Sequence, residues 1–195
     1  VEVDRTLAPI LAETLGEFSN LHILWQDILK VDIPALVQAE LPGLRPMACA
    51  NLPYYITSPV LTALLEARCF SSVTVMVQKE VADRIAATPG NKTYGGYTAK
   101  LGLYAQVTGR FEVPPRCFMP APHVDSAVVR IDRVDGVVPE GIDREFVARV
   151  IDAAFAQRRK TIRNSMSANG FAKDVLDAAF EACGIAPTTR AETLD

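Results

Sequence analysis

The stretch A-N-L-P-Y-Y-I-T-S-P-V-L, residues 50–61, decides the fold. An apolar run, M-A-C-A, ends at Asn51, and Leu52, Pro53, Tyr54 and Tyr55 follow before a helix begins. Ser58 reads as the N-cap and Pro59 as the first helical residue, with V-L-T-A-L-L-E-A-R continuing the helix. A strand that turns into a helix needs neither an Asn-x-Pro corner nor two tyrosines for its own stability. This corner is therefore expected to hold a ligand.

Reading outward, S-V-T-V-M-V before Gln78 is a second buried strand, followed by a helix carrying Val81, Ile85 and Ala86. Upstream, L-H-I-L-W is a short apolar run stopped by Gln26 and Asp27. The opening V-E-V-D-R reads as a strand end running into an amphipathic helix with Leu7, Ile10, Leu11 and Leu15 on one face. An opening inside a strand-to-helix junction leads us to expect an upstream piece before Val1. Strands alternating with helices predict a mostly parallel α/β sheet.

Beyond the turn-rich T-P-G-N-K-T-Y-G-G-Y the spacing predicts a helix to about Val107. The prolines between Pro114 and Pro122 forbid a regular ladder, so the sheet is expected to close with two strands joined by a rigid loop. D-G-V-V-P-E-G then marks a break, and F-V-A-R-V-I-D-A-A-F and A-K-D-V-L-D-A-A-F-E-A-C-G are helical, with Phe146, Val150, Ala153 and Ala154 on one face and Gly184 as a C-cap. We expect a catalytic domain over 1–138 and a small all-helical domain over 139–195.

Composition excludes several classes. The chain has 195 residues, a net charge of −3, four cysteines and two histidines. The size suffices for a core without metal or disulfide staples. Cys49, Cys69, Cys117 and Cys183 make no C-x-x-C pair, so a structural role in a reducing compartment is expected, and His22 and His123 are read as structural or incidental. No apolar run approaches a membrane span and the N-terminus lacks signal-peptide layout, so a cytoplasmic protein without membrane partners is expected. A globally basic coat protein is ruled out, whereas a local basic patch is present.

In an open α/β sheet, ligands lie beyond the carboxyl ends of the strands, which makes Glu2, Asp27, Asn51 and Gln78 candidates. An acid at such a position can bind the two hydroxyls of a ribose, which suits Glu2, and a second can accept from an adenine amine, which suits Asp27. Each is also an ordinary turn residue. Asn51 to Tyr54 is more specific. An exocyclic purine amine becomes nucleophilic when two acceptors pull its lone pair out of conjugation; the Asn51 side-chain oxygen and the Leu52 carbonyl can supply them, with Pro53 stiffening the loop. Tyr54 would stack on the base, worth about 1–3 kcal/mol. The competing reading is a tight turn with a tyrosine packed on the core. Arg158, Arg159, Lys160 and Arg163 form a dense cationic cluster suited to phosphates or, more plainly, a solvated face; Lys79, Arg84 and Lys92 would extend the track.

N-L-P-Y at a strand end resembles the signature of methyltransferases that act on amino groups. N-L-P-Y-Y-I-T-S-P, V-Q-K-E-V-A-D-R-I, Y-G-G-Y, F-M-P-A-P-H-V-D-S and A-F-A-Q-R-R-K-T-I-R-N together resemble the small-subunit ribosomal RNA adenine dimethyltransferases over nearly the whole chain. The resemblance implies a Rossmann-like S-adenosylmethionine-dependent sheet, here starting after its first strand, loop and helix, with a helical C-terminal domain. It implies two methyl transfers to each of two adjacent adenosines in a hairpin loop near the 3′ end of small-subunit RNA, within the assembling subunit. Glu2 and Asp27 would hold the methyl donor, with Asn51 reaching both donor and base. Asn51, Leu52, Pro53, Tyr54 and Phe118 would clamp the adenine, and Arg158, Arg159, Lys160 and Arg163 would bind RNA. The chemistry needs no metal, and a monomer is expected. The Gly-rich donor loop of these enzymes has no counterpart, since no G-x-G-x-G occurs, so this stretch alone is expected to bind donor poorly. A large-subunit adenine methylase of antibiotic resistance and a non-catalytic assembly factor are the alternatives.

Overall fold

The computed structural model describes residues 1–194. Four strands form its sheet: β1 (Met47–Asn51), β2 (Ser72–Gln78), β3 (Ala105–Val113) and β4 (Ser126–Arg133), in the order β1-β2-β4-β3. Only β1 and β2 are parallel, in register from Met47↔Ser72 to Asn51↔Met76. Strand β4 runs antiparallel to both of its neighbours. The expected mostly parallel sheet is thus mixed. Its last two strands are joined by residues 114–125, whose prolines at 114, 115, 120 and 122 leave no run for a crossover helix, and the chain returns antiparallel. A bulge between Val107 and Gly109 shifts the β3 register.

Val73, Val75 and Val77 of β2 and Ala127, Val129 and Ile131 of β4 are fully buried on one face. Alternation places these residues on that face, as period-two side chains require. Helices α3 (Thr57–Glu66), α4 (Lys79–Ile85) and α5 (Gly96–Gly102) contribute Val60, Leu61, Leu64, Ala82, Ile85 and Leu101 to the same core. β1 is the outer strand beside β2, and Met47 is two-thirds exposed.

Several local expectations are corrected. L-H-I-L-W forms no strand; Trp25 makes a single parallel bridge to Glu2, with Glu2 N–H donating to the Leu24 carbonyl at 2.9 Å. α1 (Ala8–Leu15) carries its apolar residues only half covered, and Ile10 is more exposed than buried. α2 (Ile33–Glu40) follows, capped by Asp32. The helix expected to reach Val107 stops at Gly102, because Ala105 to Val113 pair with β4. α3 starts at Thr57 with no side-chain cap, so Ser58 lies inside the first turn rather than at the N-cap. The Thr57 hydroxyl donates to the Pro53 carbonyl instead, at 3.2 Å.

The C-terminal part consists of α6 (Arg144–Phe155), α7 (Ile162–Ala168) and α8 (Lys173–Ala182) around a separate cluster of Ala153, Ala154, Ile162, Met166, Leu176 and Phe180. Phe146, expected on the buried face of α6, is 44% exposed and lies under the Arg149 guanidinium. Gly184 closes α8 at φ +67°, with its N–H on Glu181 and the Ile185 N–H on Phe180, as a left-handed C-terminal glycine requires. The buried Ser165 hydroxyl donates to the Ala153 carbonyl at 2.7 Å and accepts the Gln157 N–H at 3.0 Å, which ties α6 to α7.

The 88–96 loop joins the two parts. Tyr94 meets the Phe155 ring edge-on at 5.8 Å, the Gly90 N–H donates to the Glu192 carbonyl, and Lys100 pairs with Asp152 at 2.8 Å. Gly96 lies so close to Phe155 that an added Cβ would come within 3.0 Å of the Phe155 Cβ.

Candidate active site

The N-L-P-Y corner is built from the end of β1 outward. Asn51 closes the parallel pairing with Met76, and the Leu52 N–H extends it by one bond to the Met76 carbonyl at 3.2 Å. Leu52 is buried, so its side chain anchors the corner in the core. The Pro53 carbonyl accepts from the Ile56 N–H and the Thr57 hydroxyl, which commits it to starting α3. The Leu52 carbonyl receives no donor among the described residues, and the Asn51 side chain is exposed without a partner among them. Two acceptors, one amide oxygen and one main-chain oxygen, are thereby left free next to each other.

Tyr54 lies in a short 3-10 turn (Tyr54–Ile56), half-buried, with its hydroxyl 2.7 Å from the Ser126 hydroxyl. Tyr55 points away and is 86% exposed. Phe118 arrives from the proline loop, where the Phe118 N–H donates to the Pro115 carbonyl. The loop and the corner enclose an open pocket of about 310 Å³ lined by Asn51, Leu52, Pro53, Tyr54, Phe118, Pro120 and Pro122. That volume stands at the small end of the range of ligand sites, in keeping with one heteroaromatic base. A second cleft, between Arg68, Phe70, Tyr104 and Arg133, measures about 10 Å³ and has room for no more than a water molecule.

All five residues expected to clamp a base therefore line one cavity. Glu2 and Asp27 do not line it, but the Glu2–Trp25 bridge brings them to neighbouring chain ends. One oxygen of each is occupied by its own turn: Glu2 Oε1 accepts from the Val3 and Asp4 N–H groups at 2.8 Å, and Asp27 Oδ1 accepts from Leu29 N–H at 3.0 Å. The second oxygen of each is free of protein donors among the described residues.

The cationic cluster divides. It lies in the turn after α6 and at the start of α7, not on α6 itself. Arg158 donates to the Lys92 and Tyr94 carbonyls, the second at 3.3 Å, and so braces the 88–96 loop. Arg163 makes a two-pronged pair with Asp177, at 2.5 and 2.6 Å; this hydrogen bonding holds the Asp177 carboxyl below the usual carboxylate range. Arg159 and Lys160 are exposed and have no protein partner among the described residues. Lys79 is occupied as well, by Glu112 at 2.5 Å and Asp83 at 3.6 Å, which raises its ammonium pKa. Arg84 lies over the Tyr97 ring at 5.4 Å.

The model of the ribosomal RNA adenine dimethylase family matches residues 1–195. The chain belongs to this family. Curated relatives named ribosomal RNA small subunit methyltransferase A agree with it. The protein of Lysinibacillus sphaericus (strain C3-41) is 43% identical over 199 aligned positions, covering 99% of this chain and 68% of the relative. That of Geobacillus thermodenitrificans (strain NG80-2) is 42% identical over 200, covering 100% and 68%. Among solved structures, a dimethyladenosine transferase from Plasmodium falciparum superposes with a TM-score of 0.78 at 23% identity, covering 99% of this chain and 75% of that one. The 23S rRNA methyltransferase ErmE gives 0.74 at 23%, covering 100% and 75%. At that identity the two structures speak to the fold alone, which is Rossmann-like with a mixed sheet.

For a member of this family, sequence reasoning missed three features of the pocket. Pro120 and Pro122 are lining residues, although they read only as loop breakers. Ser126, completely buried, supports Tyr54 across 72 positions of sequence. The only signal for it was its place at the foot of the strand that follows the proline loop. All four cysteines are free thiols; three are exposed, and burial pushes the Cys69 thiol up. His22 pairs with Glu40 on the surface. No helix among the described residues is long and apolar enough to cross a membrane, and no cluster of three metal-ligating side chains occurs among them.

Proposed function

We propose that this chain transfers methyl groups from S-adenosylmethionine to the exocyclic amines of two adjacent adenosines, in a hairpin loop near the 3′ end of small-subunit ribosomal RNA. Dimethyladenosine is the product, and the setting is the assembling small subunit. The observation that carries the reading is the pocket lined together by Asn51 and Leu52, whose acceptors have no donor among the described residues, and by Tyr54 and Phe118. Family membership and the names of the curated relatives support the substrate.

The residues act on the base. A purine amine entering the pocket donates one N–H to the Asn51 oxygen and one to the Leu52 carbonyl. Two acceptors on one nitrogen favour a pyramidal amine, whose lone pair then projects out of the ring plane; the proton that the methylated nitrogen sheds passes to water. Tyr54 and Phe118 hold the base by stacking, worth about 1–3 kcal/mol per contact. That offsets the few kcal/mol needed to take an adenine out of its stack, which is least in a single-stranded loop. Glu2 and Asp27 are assigned to the ribose hydroxyls and adenine amine of the donor. When bound, S-adenosylmethionine supplies an already activated methyl group, so the chain contributes position and lone-pair localisation rather than a strong base. The reading gives no role to a metal. The helical part, from about residue 139, is assigned to the RNA backbone through Arg159 and Lys160.

Incubating the full-length protein with donor and unmethylated subunits of each size, then digesting the RNA to nucleosides for mass analysis, tests this. Dimethyladenosine in small-subunit RNA is the expected result. Product only in large-subunit RNA would move the chain to the resistance enzymes. No product despite tight RNA binding would make it an assembly factor.

A further inference from the structure

Ser126 opens β4, the strand paired on both sides. It stands opposite Gln78 on β2 and Val113 on β3, and it is completely buried. Its hydroxyl meets one side-chain partner, the Tyr54 hydroxyl, at 2.7 Å. No buried side-chain polar atom among the described residues lacks a partner, so this bond is what satisfies the Ser126 oxygen. At its other end Tyr54 is fixed by the 3-10 turn, which the Pro53 carbonyl closes through Ile56 and Thr57.

A tyrosine held only at its backbone can turn about both side-chain torsions. Held also at the hydroxyl, by a buried group at the start of an interior strand, its ring axis keeps one direction. We propose that Ser126 is a positioning residue for methyl transfer: its hydroxyl fixes the far end of the Tyr54 ring, and hence where that aromatic wall of the pocket stands relative to the Asn51 and Leu52 acceptors. This rests on the reading of the pocket as a base clamp. Ser126 touches neither base nor donor and acts through Tyr54.

Coupling follows from the shared bond. Tyr54→Phe leaves the buried Ser126 hydroxyl without a partner, and Ser126→Ala frees the Tyr54 hydroxyl; removing both groups repeats neither loss. For the full-length protein on unmethylated small subunits, Ser126→Ala and Tyr54→Phe are each expected to slow single-turnover methylation about tenfold, as one lost hydrogen bond would. The double variant is expected to be about tenfold slower too, not about a hundredfold. RNA affinity is expected to stay within about twofold in all three, because the backbone contacts that dominate it are elsewhere.

A second measurement is independent of turnover. In protein with labelled tyrosine, the Tyr54 side-chain signals, assigned by their loss in Tyr54→Phe, are expected to show couplings of one χ1 rotamer in the parent and of averaged rotamers in Ser126→Ala. Rates that multiply in the double variant, an unchanged rate in Ser126→Ala, or equal losses of rate and affinity would each overturn the proposal. If the parent made no methylated product, the activity reading would fall while the χ1 couplings still decided whether Ser126 fixes Tyr54. Unchanged couplings in Ser126→Ala would overturn the proposal even with full activity.

Discussion

Replacing Arg159 and Lys160 together by Ala separates the four-residue cationic cluster into its parts. The structure leaves these two free among the described residues, while Arg158 is spent on the Lys92 and Tyr94 carbonyls and Arg163 on Asp177. Each cation that meets a phosphate of single-stranded RNA contributes about 0.7 to the slope of log affinity against log salt. Two contribute about 1.4, so between 50 and 200 mM salt the parent should lose about sevenfold more affinity than the double variant. Arg158→Ala should leave the slope alone and instead cost about 1 kcal/mol of stability, the net worth of hydrogen bonds to an exposed charged group. The assay is RNA binding by titration at four salt concentrations, with a thermal melt of each variant. If Arg158→Ala or Arg163→Ala flattened the slope as much as the Arg159/Lys160 pair, the division of the cluster would be wrong.

Three further outcomes are expected. Phe118→Ala removes one wall of the pocket, and losing a stacking contact of about 1–3 kcal/mol should lower kcat/KM for RNA by roughly tenfold to a hundredfold; an unchanged value would make Phe118 a core plug. Gly96→Ala brings a methyl group against Phe155 and should destabilise the protein by about 1–3 kcal/mol, visible as a lower Tm; a higher Tm would show that Phe155 yields. Asp177 has its folded pKa depressed by Arg163, so the pair stabilises above the ordinary carboxylate value of about 3.9 and that stability is lost as pH falls through the lower folded value. The Tm gap between parent and Asp177→Asn should accordingly be full at pH 6 and shrink below about pH 4; a gap independent of pH would contradict the pairing.

One wall of the pocket was legible because its parts are local: Asn51 to Tyr54 are four consecutive residues, with a proline to stiffen them. Phe118, far along the chain, was reached only through the family resemblance. The strands β2 and β4 were legible from runs of valine and isoleucine that have no other stable place. Strand direction was not. Nothing in S-V-T-V-M-V or S-A-V-V-R-I says which way its neighbour runs; the connection does, and the proline loop holds no crossover helix. L-H-I-L-W failed for a related reason, since an apolar run becomes a strand only with a ladder to join, and Trp25 finds one bridge. The partners of the cationic cluster were not legible because sequence counts charges without them, and Asp177 comes from α8 and the Lys92 carbonyl from the 88–96 loop. Ser126 stayed hidden because a serine at a strand end is ordinary until its partner is known.

The most direct test of the clamp is Asn51→Ala, measured as single-turnover methylation of small-subunit RNA beside the dissociation constant for the same RNA. The account predicts a rate lower by on the order of a hundredfold, the usual effect of removing one preorganised polar group at a reacting centre, with RNA affinity unchanged. An unchanged rate, or a loss of affinity large enough to explain the loss of rate, would contradict it.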